Sequence, residues 1–176
     1  MSINLHKKPL PSKELSILQS LLPRMDLSPQ EKQRYETLDK GFKGEQAFHS
    51  LLQQTELKDQ MFLYSLLLQT NHTEFQIDSI LIRPRRIFLF EVKNFEGDYY
   101  IQQDKWYALS TGKEVRNPLH QLNRCTLLLR QALQQWGHEI SVEPYIIFIN
   151  PEFTLYQAPQ NQPMISQPNL IDFLNN

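Results

Sequence analysis

Arg86-Ile-Phe-Leu-Phe-Glu91-Val-Lys93 is the stretch on which the fold turns. Ile87 to Phe90 is apolar at every position, so both faces of this strand are covered, as in the centre of a sheet between two layers. Side chains alternate along a strand, which puts Ile87, Leu89, Glu91 and Lys93 on one face. A carboxylate and an ammonium therefore emerge together where a core strand ends. Two positions apart, they can serve one site. A surface ion pair at a strand end would produce the same E-x-K spacing.

The neighbouring segments read outward from there. Met61 to Thr70 and Phe75 to Ile82 are rich in apolar, β-branched and aromatic residues, with turns at Asn71-His72 and Pro84-Arg85. Gly97 opens a further stretch, Asp98 to Gln103, with which Trp106 to Leu109 can pair, and Thr111-Gly112 is a turn. Ser12 to Leu22 carries leucines at helical spacing and ends at Pro23. Ser28-Pro29-Gln30-Glu31 is a capping box with proline at the first helical position, and the helix it starts can run to about Gln54. Gly41 and Gly44 inside it cost about 1 kcal/mol each relative to Ala, and mark either a close backbone approach or a break. Asn117-Pro118 starts a second long helix, closed by Gly137, and Val142 to Asn150 is another buried strand. The tail, Pro151 to Asn176, is rich in Pro and Gln and reads as a surface wrap ending in a short helix near Asn169 to Leu174. This order of helix, strands, helix and strand predicts an α/β fold.

Polar residues against the apolar pattern are the functional signal. Strict alternation over Phe75 to Ile82 puts Gln76, Asp78, Ile80 and Ile82 on one face, and Asp is a poor strand former. If Asp78 and Glu91 are neighbours they repel unless a cation lies between them; a divalent metal or Lys93 alone would serve. Glu45 sits within a helical stripe of Leu38, Phe42, Phe48 and Leu52, where a carboxylate either reaches a rim or faces a cation. Gln121 shares a helical face with Cys125, Leu128 and Ala132, and alone reads best as a satisfied core or rim glutamine. Brought together, these residues form a phosphodiesterase constellation. Asp78 and Glu91 would hold a metal with help from Glu45, and Lys93 would orient water or stabilise charge on phosphate.

Composition removes other classes. The chain has 176 residues and a formal net charge of −1, so a wholesale basic coat for nucleic acid is excluded. Its single cysteine, Cys125, excludes an intramolecular disulfide and a cysteine-rich zinc site. His6, His49, His72, His120 and His138 show no zincin spacing, and the glycine-rich nucleotide loops are absent. No apolar run is long enough for a membrane span and the start lacks a signal-peptide core, so a reduced cytoplasmic protein is expected.

The set Gly41-Phe-Lys-Gly44-Glu45, Gln76-Ile-Asp78, Glu91-Val-Lys93-Asn94-Phe-Glu-Gly97 and Asn117-Pro-Leu-His-Gln121, in this order, resembles the NERD (nuclease-related) domain. The resemblance covers about Gly41 to Asn150. It implies a restriction-endonuclease-like α/β sandwich, with a central mixed β-sheet flanked by helices, of the PD-(D/E)XK superfamily. It also implies Mg²⁺- or Mn²⁺-dependent cleavage of DNA. Carried over by position, Glu45 matches the acidic residue of the first core helix, and Asp78 the metal-binding aspartate. Glu91 and Lys93 match the E-x-K, and Gln121 the glutamine of the following helix. One departure is that Gln76-Ile77 precedes Asp78 where the superfamily has proline.

Three regions are expected: a helical extension over 1–40, the nuclease-like domain over 41–150, and a C-terminal extension of that domain over 151–176. DNA contacts would come from Arg83, Arg85 and Arg86 at the turn before the E-x-K strand and from Arg116 and Arg124 near the second helix. Trp106 and Tyr107 read as core in preference to base-stacking residues. The competing functions are a nucleic-acid-binding module that keeps the fold without cutting and a protein-interaction module. A partner protein acting in trans is a further expectation, because NERD domains often sit beside helicase, kinase or DNA-binding modules.

Overall fold

The computed structural model describes residues 8–54 and 60–175, so His6 lies outside it. Helix α1 spans Lys13–Leu21, with the Ser12 hydroxyl accepting from the Leu15 amide. Helix α2 spans Pro29–Gln53 and begins with the expected capping box. The Glu31 amide donates to the Ser28 hydroxyl, and the Ser28 amide donates to the Glu31 carboxylate at 2.8 Å.

Helix α2 passes through both glycines without a break. The reason for glycine differs between them. A Cβ on Gly44 would lie 2.7 Å from Cβ of Asn94 and 3.5 Å from Ile149, whereas one on Gly41 would meet nothing within 4 Å. Asn94 also donates to the Lys40 carbonyl at 2.9 Å. Gly44 thus lets α2 close directly onto the chain leaving the E-x-K strand.

The main sheet has five strands in the order β1-β2-β3-β7-β9. They are β1, Met61–Thr70; β2, Thr73–Arg83; β3, Arg86–Lys93; β7, Ser141–Phe148; and β9, Met164–Ser166. The first three form an antiparallel meander, and β7 and β9 continue it in parallel. A second sheet, in the order β6-β5-β4-β8, comprises β4 (Gly97–Gln102), β5 (Lys105–Ala108), β6 (Glu114–Val115) and β8 (Phe153–Tyr156). Helix α3, Pro118–Gln135, returns the chain from this sheet to β7.

Two cores flank the main sheet. Ile87 and Leu89 of β3 pack with Leu122, Cys125 and Leu129 of α3 and with Ile101 and Trp106 of the second sheet. Phe88, Phe90 and Val92, on the other face, pack with Phe48 and Leu52 of α2 and with Leu170 and Leu174 of helix α4, Leu170–Asn175. The mixed sheet between helices is the architecture expected. The tail departs from expectation. It is no surface wrap, because β9 joins the sheet edge and Ile165, Leu170 and Leu174 are buried. Trp106 is a core residue, as read from the sequence. Among the described residues, no helix is long and apolar enough to cross a membrane.

One expectation fails inside β2. Strict alternation would put Gln76 with Ile80 and Ile82. Instead Phe75 and Ile77 join Ile80 in the core under α3, while Gln76 is exposed. The same reversal occurs on β1, where Leu63 and Leu66 face that core and Tyr64 the other. The β1–β2 register keeps one offset throughout and skips only Ser65 and Asp78. Ser65 has φ +50°, the left-handed region that costs a non-glycine residue about 1–2 kcal/mol. Both strands therefore reverse face at one level, and that level holds Asp78. Such local breaks of a ladder re-aim side chains beside functional sites.

The glycine contacts generate a paired expectation. Gly44→Ala should lower the melting temperature despite better helix propensity, since overpacking against fixed neighbours costs about 1–3 kcal/mol. Gly41→Ala, with open space around it, should raise it by about 2–4 °C. Thermal denaturation of the two variants checks both signs.

Candidate active site

Four elements meet at the C-terminal end of β3. Glu91 is 2% exposed, and its Oε1 accepts from Nζ of Lys93 at 2.6 Å. Nζ also donates to Oε1 of Gln121 at 3.1 Å, which ties β3 to the first turn of α3. The first-turn glutamine of α3 thus has its partner in Lys93. Asp78 arrives from β2 where the β2–β3 ladder stops, its last pair being Ser79 with Phe90. There Oδ2 of Asp78 accepts from the Val92 amide at 2.9 Å, so a side chain takes the place of the missing ladder bond. Glu45 arrives from α2, carried in by the close approach at Gly44.

The three carboxylates feel one another. Burial, together with Asp78 and Glu91, pushes the Glu45 carboxyl up to about 8. Burial and Asp78 push Glu91 up to about 7, against the pull of Lys93 and Arg116. Burial also raises Asp78, opposed by Lys93 and the Val92 amide. Burial, with Glu91 and Asp78 nearby, pushes the Cys125 thiol up to about 11, so it is no nucleophile at neutral pH.

Oε2 of Glu45 is buried without a hydrogen-bond partner among the described residues. A buried carboxylate oxygen with no donor is costly unless a cation or proton meets it. This orphan, beside two further carboxylates raised chiefly by burial, fits a hard divalent cation. Among the described residues no three His, Cys, Asp or Glu side chains converge as a ligand cluster. Mg²⁺ does not require one, since it is commonly held by one or two carboxylates plus water and phosphate oxygens.

Sequence reasoning missed two features. Ser65, opposite Asp78 in register, favours the charged form of Glu45 and is itself held by Leu10, whose amide donates to the Ser65 hydroxyl at 3.1 Å. Its signal was weak, a lone serine in an apolar strand. The second is a cleft of about 290 Å³ beside Lys93, whose lining includes Phe95, Tyr99, Arg116 and Gln121. Phe95 and Tyr99 lie outside every polar pattern.

The arginines divide. Arg116 reaches the site; Arg124 is exposed on α3. Arg83, Arg85 and Arg86 do not reach it. They sit at the opposite end of β3, about 23 Å away at strand rise. Arg83 donates to the Leu174 carbonyl and lies over the Phe88 ring at 5.4 Å, and Arg86 pairs with Glu143 at 3.6 Å.

The raised carboxylates generate a pH expectation. In metal-free protein, Glu45 and Glu91 keep protons that the unfolded chain loses above about pH 4.5. Their contribution to stability is therefore greatest at low pH and falls as pH rises through about 7–8. With a chelator present, this pair should lower the melting temperature between pH 5.5 and 8.5. Glu45→Gln should flatten the fall, and Mg²⁺ or Mn²⁺ should restore wild type at pH 8.5. Identical pH profiles for wild type and Glu45→Gln would show that Glu45 is not part of the coupled set.

A comparison with curated proteins gives no match. The description of the nuclease-related domain, NERD, matches residues 40–149, well over half of the chain and all four elements that build the site. That group is of the PD-(D/E)XK-like nuclease kind, and the mixed α/β architecture is consistent with its restriction-endonuclease-like fold. The chain belongs to the NERD, nuclease-related domain, family.

Proposed function

We propose that the chain is a metal-dependent nuclease that hydrolyses phosphodiester bonds of DNA, in DNA processing or repair. The observation that carries this reading is the buried Glu91–Lys93 pair, tied to Gln121 and set beside Asp78. A divalent cation, Mg²⁺ or Mn²⁺, held by Asp78 and Glu91 with Glu45, would supply the charge that acidifies a water and offsets phosphate charge. Lys93 has three N–H donors, of which Glu91 and Gln121 use two. The third remains for a phosphate oxygen or the attacking water. Because both partners fix Nζ, it meets charge developing on phosphate without reorganising. Gln121 is a positioning residue in this scheme, and Arg116 adds a cation at the rim.

A second reading keeps the fold as a nucleic-acid-binding module without cleavage. The absence of a three-ligand cluster among the described residues favours it. Cleavage of supercoiled, linear and single-stranded DNA and of RNA, with Mg²⁺ or Mn²⁺, decides between the two. Wild type should cut, and Asp78→Ala and Lys93→Ala should lose about 100-fold or more. Since Lys93→Ala leaves Glu91 buried and unpaired, folding of each variant is confirmed by its melting curve. Equal cutting by all three proteins would mean a misplaced site or a contaminant. Polynucleotide binding without cutting would support the binding module.

A further inference from the structure

The lining of the cleft beside Lys93 combines two kinds of group. Lys93, Gln121 and the exposed Arg116 are charged or polar. Phe95, Tyr99 and Val115 supply aromatic and apolar surface to the same lining. Phe95 and Tyr99 stack on each other with centroids 5.1 Å apart and planes 25° apart. Behind them, Phe153 contacts both rings, and Phe148 stacks on Phe153 at 3.9 Å. The two half-buried rings are thus set by packing, and little side-chain freedom is left to lose when a ligand covers them.

We propose that this cleft seats one unstacked nucleotide, so that the substrate is an unpaired polynucleotide strand and not an intact duplex. The proposal rests on the nucleic-acid reading of the site above. A base inside a duplex has both faces covered by its neighbours; only an unpaired base offers a face to an aromatic wall. At about 290 Å³ the cleft is at the small end of ligand sites, large enough for one nucleotide-sized group and too small to admit a helix. The base lies against Phe95 and Tyr99, and its phosphate faces Arg116 and Lys93. Arg116 is close enough to act on Glu91, so the rim cation and the reacting end share one field. Base identity matters little here. The amide of Asn117, which also lines the cleft, is committed to the Leu119 amide at 2.9 Å and the Asp104 carbonyl at 3.4 Å. Stacking alone tolerates every base.

The test uses an oligonucleotide with a central 2-aminopurine, as single-stranded DNA, as single-stranded RNA and as duplex DNA. The full chain is titrated in Ca²⁺ without Mg²⁺. A single strand should bind about tenfold or more tightly than the duplex, and the fluorescence should fall as the base stacks. Whichever strand binds better identifies the sugar. Tyr99→Leu should weaken single-strand binding about fivefold or more and remove the fluorescence change. Arg116→Gln, at an exposed position that does not threaten folding, should reduce the slope of log K against log salt by about 0.7. Duplex binding as tight as single-strand binding, or indifference to both substitutions, would overturn the proposal. Mg²⁺-dependent cutting that persists in that case, and is lost in Lys93→Ala, would leave the nuclease reading standing. No binding to any of the three polymers would overturn both.

Discussion

Burying Glu91 is the constraint on which the rest of the structure depends. A carboxylate 2% exposed at the end of a fully apolar strand cannot stand alone, because desolvation of an unpaired charge costs more than a typical side chain's burial returns. Lys93 answers it from the same face two residues on, and Gln121 answers Lys93 from α3. One buried acid thereby sets the position of α3's first turn relative to the sheet. The chain leaving β3 is fixed on its other side by α2, through Asn94 against Gly44 and the Lys40 carbonyl. Both helices are held to the same strand end.

Asp78 shows how a site can be made by giving up regular structure. A continuous β2–β3 ladder would pair Asp78 with Glu91 and bond Val92 to main chain. Here pairing stops at Ser79, and the carboxylate itself takes the Val92 amide. The cost is shared by β1, where Ser65 sits in left-handed backbone at the same level. Leu10 bonds to that serine through both its amide and its carbonyl. The segment before α1, outside the matched family region, therefore supports the site's weakest backbone point.

The resulting electrostatics disfavour negative charge on all three acids. Glu45, Asp78 and Glu91 are all raised, with burial the largest cause in each case. Lys93 offsets part of this, but a single ammonium cannot balance three neighbouring carboxylates. Net charge elsewhere is near zero, so attraction for a polyanion has to be local. Arg116 is an arginine that the fold brings to this end of the sheet, whereas Arg83 and Arg86 at the other end contact Leu174, Phe88 and Glu143.

What the sequence determined by itself is everything governed by near neighbours. The capping box at Ser28, the helix start at Asn117-Pro118, the turn at Asn71-His72 and the paired faces of β3 follow from local hydrogen bonding and side-chain period. They appear as read. The acids set against apolar patterns, Glu45, Asp78 and Glu91, were legible for the same reason: burial of charge violates a local rule; Gln121, uncharged, stood out only in their company. Tertiary structure alone decided the face reversal at Ser65 and Asp78, since it exists only when two strands break at one level. It also decided which arginines reach the site, because β3 separates one cluster from it by its full length. The aromatic wall of Phe95 and Tyr99 was invisible in one dimension. An aromatic residue in or beside a strand looks like core until the chain folds and leaves it half-buried in the lining of a cleft.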